Sequence, residues 1–390
     1  MSVTAHYALV QFFFWFAYGT VVNFSSVYLL ACGLSNTAFG VINAAASLLA
    51  VLVQPLLAAR VDGGGKLGVR GMLLVSSSML AVFGLLLYFL YGARPGLNAA
   101  VFGCAILLAQ VMLPFVNSLA TQAINAGDAL NFSAARGVGS IGYAIMSFSV
   151  GRLTARFGAG VEPIVIVAIA LFLLLVCQRF PARRGTVQHT ELGETEETRS
   201  LADFLVIYRR FLLTLIGCVF IYTSHVLINS FIYQIVVYKG GTSAHMGVVM
   251  GLAGLVEVGA MFAFPLLLRW KGNGFWFRLS GIFFTLKSLG TLLASSMGAL
   301  YAVQLLQPFG WGLMSVACVY YADSVMQERD KVKGQAFMAM TLSIGTILGT
   351  LIGGWLIDAF GVPGMLTAAI AAGALGSLIV ILFSREREYA

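Results

Sequence analysis

The sequence predicts an all-α membrane protein with twelve transmembrane helices in two six-helix, pseudo-repeated bundles. Of its 390 residues, 59% are hydrophobic and 10% are charged, and the mean hydropathy is +0.92. Soluble domains carry about 25% charged residues, so lipid is the expected solvent. The apolar runs are long enough to cross a bilayer as helices and too continuous for barrel strands. One polar segment separates the runs into two sets of six.

Twelve apolar runs account for most of the chain. They lie at 7–31, 38–59, 71–92, 98–125, 136–157, 160–178, 211–238, 245–268, 275–294, 296–323, 334–358 and 362–384. The polar segment between the sixth and seventh runs is interpreted as a connecting loop. The predicted domains are therefore an N-terminal bundle at 1–178, a cytoplasmic linker at 179–210 and a C-terminal bundle at 211–390.

The basic residues predict the orientation. With the N-terminus inside, 18 of the 23 Lys and Arg residues lie in inner loops and four lie in outer loops, while Lys287 lies within a run. Cytoplasmic loops carry such an excess. We therefore expect a multi-pass protein of the cell (inner) membrane with both termini in the cytoplasm. The net charge of +8 is then a topology signal and does not indicate nucleic-acid binding.

An internal repeat links the two halves. The stretch SIGYAIMSFSVGRLTARFG begins at Ser140, and SIGTILGTLIGGWLIDAFG begins at Ser343. Seven of the nineteen positions are identical, and the last identical pair is Gly158 and Gly361. Parallel repeats of this kind are a common build of secondary transporters. Glycines at 345, 349 and 353 also form a small-residue seam that predicts close helix packing.

Catalytic and metal-binding patterns are not found in the sequence. The five cysteines are scattered, with no Cys-x-x-Cys and no Cys/His cluster, so they are interpreted as buried apolar residues. The chain has no Walker loop, no metal-ligand spacing and no nucleophile–base pair. We expect no cofactor, no metal and no enzymatic activity. The expected partners are a small solute, protons and the lipid bilayer, and the expected state is a monomer.

Three ionisable residues lie deep in the runs of the second half: His225, Glu257 and Lys287. We expect none at comparable depth in the first half. A charge at mid-membrane costs about 2.5–3.5 kcal/mol, so it indicates a function or a partner. Glu257 is interpreted either as a proton carrier discharged by Lys287 or as one half of a structural ion pair with Lys287. His225 is a further candidate for proton coupling or a packed core histidine.

Sugar sites combine aromatic faces with amide groups, and runs one, four, seven and ten offer both. Any single aromatic residue could equally face lipid or core. The candidates are Trp15, Tyr18, Asn23, Asn117, Gln122, Asn229, Gln304, Gln307 and Trp311.

Several segments resemble the major facilitator superfamily, and more narrowly the lactose-permease-like, phenylpropionate-permease and sugar-efflux groups. In the second run, "QPLLAARVD" is similar to the family segment that leads into a gating loop. The resemblance implies gating-loop roles for Arg60, Asp62, Lys66 and Arg70. It covers nearly the whole chain and implies the twelve-helix fold of that superfamily.

Other matching segments imply site residues. "NFSAARGVGSIGYA" resembles the permease segment with a substrate-binding arginine and a stacking aromatic, which are Arg136 and Tyr143 here. Lys287 stands where the permease has an arginine, and Gln307 stands in place of a histidine. The carboxylate that the lactose permease carries in its fourth span has no counterpart in the fourth run of this chain. Glu257 fits the span-eight glutamate of the other two groups better.

These features predict a proton-coupled secondary transporter that works by alternating access. The solute is expected to be small, polar and organic, and sugar or glycoside symport is the first choice. Proton antiport that exports sugars or hydrophobic drugs is the alternative, since the same charges can run either way. A non-transporting membrane receptor is a minor alternative.

Overall fold

The computed structural model describes residues 2–62, 67–181 and 200–384. Every regular element in these ranges is helical, and they contain no strand. The predicted all-α class is therefore confirmed. The chain divides into two units: unit 1 holds the described residues of Met1–Gln188 with Gly240–Gly254, and unit 2 holds those of His189–Lys239 with Leu255–Ala390. The limits of the predicted domains stay a prediction.

The helices of unit 1 follow the first six apolar runs. They are α1 (Val3–Tyr18), α2 (Ser25–Ala31), α3 (Asn36–Asp62), α4 (Val69–Leu90), α5 (Pro95–Asn125), α6 (Phe132–Phe157) and α7 (Glu162–Arg179). The first run is divided between α1 and α2 by the π-helical turn Gly19–Asn23. The other five runs each correspond to one long helix.

All but the first of the helices that follow correspond to the last six runs, and the seventh and tenth runs are each divided between two helices. They are α8 (Leu201–Ile207), α9 (Arg209–Asn229), α10 (Ile232–Tyr238), α11 (Ser243–Leu267), α12 (Asn273–Leu293), α13 (Met297–Val303), α14 (Leu313–Val325) and α15 (Lys331–Phe383). Helix α11 contributes its first part to unit 1 and its second part to unit 2. Helix α8 lies in the predicted linker, so the described end of that segment is helical and not simply a loop. Residues 182–199 of the linker lie outside the described residues.

Nine helical segments of the described residues are long and apolar enough to cross a membrane. Helices α6 and α12 are not among them because they carry more polar and charged residues. The 53 residues of α15 are enough for two spans. Adding α6, α12 and a second span within α15 to the nine segments gives twelve, so twelve spans are compatible with the structure.

Two glycines of the repeat adopt the same unusual backbone conformation. Gly158 ends α6 with φ 82° and ψ 171°, and Gly361 interrupts α15 with φ 68° and ψ 178°. Residues with a Cβ atom avoid this region, whereas glycine enters it readily. The two copies of the repeat therefore share a backbone turn as well as identical residues, and the turn follows the fifth run of each half.

The glycine seam packs as predicted, and it has a counterpart in the other half. A Cβ atom on Gly345 would lie 2.6 Å from the Cβ of Tyr222 on α9. Gly142, which is the repeat partner of Gly345, would place a Cβ 2.6 Å from the backbone oxygen of Phe12 on α1. In both units a small residue thus allows the fifth run to approach the first run of its half closely.

The polarity of the surface fits a lipid environment. Many large apolar side chains are exposed on the surface of the helices, for example Phe89 at 77%, Phe262 at 68% and Leu293 at 70% exposure. Each unit has its own apolar core, centred on Tyr7 and Phe115 in unit 1 and on Phe277 and Tyr321 in unit 2.

Candidate functional site

A buried glutamine in unit 2 lies between the two predicted coupling charges. Glu257 lies on α11, in the part that belongs to unit 2, and Lys287 lies on α12 with only 3% of its surface exposed. Gln307 lies in the irregular stretch between α13 and α14, where the 3₁₀ turn Gln304–Leu306 is followed by the π-helix Pro308–Gly312. This departure from regular helix gives Gln307 its position, and its side chain is 5% exposed.

The amide of Gln307 connects the two charges. Nζ of Lys287 donates a hydrogen bond to Oε1 of Gln307 at 2.5 Å, and Nε2 of Gln307 donates to Oε2 of Glu257 at 3.1 Å. An amide has one acceptor end and one donor end, so a single neutral side chain satisfies a cation and an anion together. The charges of Glu257 and Lys287 also interact. The two charges are therefore connected by hydrogen bonds through Gln307, a residue that was predicted to bind solute.

His225 lies next to this network on α9. Its ring stacks on Trp311 with centroids 4.6 Å apart and an interplanar angle of 7°, and it meets Phe284 edge to face at 5.2 Å. The amide nitrogen of Asn229 lies 2.6 Å from Nε2 of His225. The charge of Lys287 interacts with His225. The structure therefore brings the three coupling candidates together and adds Asn229 and Trp311 to them.

Gln304 is the exception among the unit 2 candidates. Its side chain is 2% exposed and donates to the carbonyl oxygen of Leu300 at 3.1 Å. That bond lies within its own helix, so Gln304 supports local structure and does not join the network.

In unit 1, Arg136 lies over an aromatic ring. Its guanidinium carbon is 4.2 Å from the ring centroid of Trp15, and Nη1 donates to Oγ of Ser140 at 3.3 Å. A guanidinium over an indole face is a cation–π contact, which indole provides better than other side chains. The ring of Tyr18 lies 5.3 Å from that of Trp15. Three of the predicted solute residues are thus neighbours.

Two more unit 1 candidates are paired. The side-chain amide of Asn23 donates to the hydroxyl of Tyr143 at 2.9 Å. On α5, Asn117 is exposed and Gln122 is half-buried.

A row of hydrogen bonds beneath Trp15 was not predicted. Nε1 of Trp15 donates to Oε1 of Gln11 at 2.9 Å, and Nε2 of Gln11 donates to the hydroxyl of Tyr7 at 2.6 Å. The Tyr7 hydroxyl donates to the carbonyl oxygen of Val116 at 3.1 Å. The spacing of four residues from Tyr7 to Gln11 to Trp15 places all three on one helix face. A glutamine in an apolar run at that spacing was the available signal.

The predicted gating-loop residues are only partly described. Arg60 is exposed near the end of α3, and Arg70 donates hydrogen bonds to the carbonyl oxygens of Cys177 and Gln178 at the end of α7. A cation at a helix C-terminus is a favourable placement. The side chains of Asp62 and Lys66 lie outside the described residues.

Residues 2–62, 67–181 and 200–384 contain no group of three or more His, Cys, Asp or Glu residues that could hold a metal ion. Most of the predicted site residues thus form one polar cluster in each unit, built from amides, aromatic rings and a few charges.

Comparison with known proteins agrees with this architecture. The family model "MFS_1 like family" matches residues 4–366. A crystal structure of the nucleoside transporter NupG is similar with a TM-score of 0.81 and 14% identity, covering 100% of both chains. A bacterial homologue of the iron transporter ferroportin has a TM-score of 0.71 and 12% identity, covering 98% of both chains. A bacterial homologue of the lysosomal transporter Spinster has a TM-score of 0.67 and 13% identity, covering 98% of this chain and 96% of the other. No curated protein matches the chain.

The helical fold and the family match define a multi-pass membrane transporter rather than an enzyme. The chain belongs to the MFS_1-like family, because the family model covers far more than half of it. The resemblance to the major facilitator superfamily is confirmed. The structural likenesses lie below 25% identity and establish the fold alone.

Proposed function

We propose that this chain is a proton-coupled secondary transporter for a small polar organic solute, with sugar or glycoside symport as its activity. Glu257 carries the proton and Lys287 discharges the site. The single observation that supports this best is the chain of hydrogen bonds from Lys287 through Gln307 to Glu257.

The bridge gives proton binding a structural consequence. Ionised Glu257 accepts a hydrogen bond from Nε2 of Gln307. Once protonated, the carboxyl gains a donor and loses its charge, so its bond to the amide and its attraction to Lys287 both weaken. A proton on Glu257 therefore changes the environment of a buried cation on the next helix. Such a change can alter which state of the transporter is favoured.

The unit 1 cluster supplies groups suited to a sugar-like solute. Arg136 and the Asn23–Tyr143 pair offer hydrogen-bonding groups, and Trp15 offers an aromatic surface. Nucleosides are glycosides with a planar base, and the fold is similar to that of a nucleoside transporter. Nucleosides therefore belong beside simple sugars and aryl glycosides among the first solutes to test.

Two alternatives use the same residues. Proton antiport would export a sugar or a hydrophobic drug with the opposite proton flux, and a receptor would bind solute without transporting it. We further propose an inner-membrane location with cytoplasmic termini, from the basic bias of the loops, and a monomeric state.

Proteoliposomes with an internal pH reporter test the proposal. Solute uptake accompanied by internal acidification supports symport, opposite fluxes indicate antiport, and binding without flux indicates a receptor. The variant Glu257→Gln should retain solute counterflow, since exchange need not release the proton, and should lose accumulation against a gradient. Its matched control is Glu328→Gln, because Glu328 is exposed and pairs with Lys331 at the surface. Full accumulation by Glu257→Gln would end the proton-carrier assignment.

A further inference from the structure

A carboxyl group in unit 1 is completely buried. Glu162 is the first residue of α7 and is 0% exposed. Among the described residues, no group forms a hydrogen bond with its Oε1 or Oε2. Pro163 follows it, and proline has no N–H to offer at the first turn of the helix. Glu162 was not among the candidates identified from the sequence, because it stands near the start of the sixth run.

The neighbouring polar groups are bonded to one another. The hydroxyl of Tyr28 lies 2.7 Å from both the carbonyl oxygen of Leu87 and Oδ1 of Asn98. The amide nitrogen of Asn98, which is fully buried, donates to two backbone carbonyls at the end of α4 and in the turn that follows. The donors of this cluster are therefore already used.

The titratable groups that interact with Glu162 carry no positive charge. They are Tyr28 on α2, Cys32 just after α2, and Tyr91 just after α4. The ring of Tyr91 also lies against Gly160, in the turn that leads into α7. Phenols and thiols are mostly neutral at pH 7. The groups on the elements that face Glu162 thus offer no countercharge in the part of the chain that the structure describes.

A fully buried carboxylate that lacks donors and a countercharge is strongly disfavoured, and such a group takes up a proton instead. We infer that Glu162 binds a proton and is a neutral carboxylic acid in this structure, as a second proton site that is separate from Glu257. The site lies in unit 1, whereas Glu257 lies in unit 2. The inference does not depend on the proposed function. Since the acid has no exposed surface, its proton can exchange only when the end of unit 1 formed by α2, α4 and α7 opens.

Infrared spectroscopy of the purified full chain tests this directly. A protonated carboxylic acid has a carbonyl stretch that is distinct from those of carboxylates and amides, and it shifts when the acid proton is replaced by deuterium. Wild type should show such a component at neutral pH, where an exposed glutamate is ionised. The component should be missing in Glu162→Gln and retained in the matched variant Glu257→Gln.

Three results would overturn the inference: no protonated-acid component in wild type, a component that persists in Glu162→Gln, or one that is lost only in Glu257→Gln. If Glu162→Gln does not fold, Glu162→Asp serves in its place. That variant keeps the acid but moves it, so the component should change in frequency and not disappear.

Stability against pH provides a second readout. A glutamate that is protonated when folded and ionised when unfolded makes the folded state less stable as the pH rises. Between the ordinary pKa of glutamate, about 4.3, and neutral pH, the folding equilibrium constant of wild type should therefore fall about tenfold per pH unit relative to that of Glu162→Gln. Parallel pH profiles for the two proteins would mean that Glu162 is ionised in the folded state, which would contradict the inference.

Discussion

The substitution Gln307→Leu removes the amide that connects Lys287 to Glu257. Leucine is close to glutamine in size but has neither a donor nor an acceptor. The variant therefore loses two hydrogen bonds at once, one of 2.5 Å and one of 3.1 Å. Both bonds involve a charged partner.

The loss can be worked from these contacts. A hydrogen bond to a charged group contributes about 1.5–3 kcal/mol, so the two together contribute about 3–6 kcal/mol. Typical domains are stable by only about 5–15 kcal/mol. The variant should thus be strongly destabilised, because Lys287 is 3% exposed and water cannot readily replace the lost acceptor.

Reversible denaturant unfolding of the detergent-solubilised protein measures the effect. The chain offers a close control in Gln304→Leu, one turn earlier. Gln304 is equally buried but donates one neutral hydrogen bond to Leu300 of its own helix. That variant should lose only about 1 kcal/mol.

The comparison between the two variants decides the matter. If Gln307→Leu is no less stable than Gln304→Leu, the two hydrogen bonds of the Gln307 amide do not stabilise the folded protein. Direct pairing of Lys287 with Glu257 would then account for the result. The bridge would lose its place in the proposed coupling.

Three further predictions concern other parts of the molecule. Gly361→Ala should lower the free energy of unfolding by about 1–3 kcal/mol, because φ 68° with ψ 178° disfavours a Cβ atom. The control Gly68→Ala, at φ −73°, should change the free energy of unfolding little. Equal effects of the two substitutions would contradict backbone strain at Gly361. Arg136→Lys should weaken solute binding about tenfold or more in equilibrium titration, because lysine lacks the planar fork, and unchanged affinity would remove Arg136 from the site. In a cysteine-free background, Gln188→Cys should react with an impermeant reagent only after permeabilisation and Arg94→Cys in intact cells; the reverse pattern would invert the topology.

Much of the fold could be predicted because lipid imposes a simple rule on sequence. Apolar length marks a spanning helix, and nine of the twelve runs correspond to one regular helical stretch. Apolar length gives no information about backbone irregularity inside a run. It did not indicate the π-helical turn Gly19–Asn23 or the 3₁₀ and π segments around Gln307, since these change the backbone geometry and not the hydropathy.

The candidate site was predictable in its charges and less so in its connections. The positions of Glu257 and Lys287 within apolar runs identified both residues from the sequence. Their connector Gln307 was assigned to the solute, because contacts across helices depend on rotation about each helix axis, which spacing does not reveal. Glu162 was missed for a different reason. It stands at the start of a run, where a charge could reach water, and its complete burial depends on the packing of the folded unit.

The positions of two tryptophans have a practical consequence for optical spectroscopy. The chain has five tryptophans. Trp15 lies under the guanidinium of Arg136, and Trp311 stacks on His225, so each cluster contains an indole in contact with one of its functional candidates. Solute that displaces Arg136 will change the emission of one indole, and a change in His225 will affect the other. Replacing either tryptophan by phenylalanine would separate the two signals, so that events in each unit can be followed in real time without an attached dye.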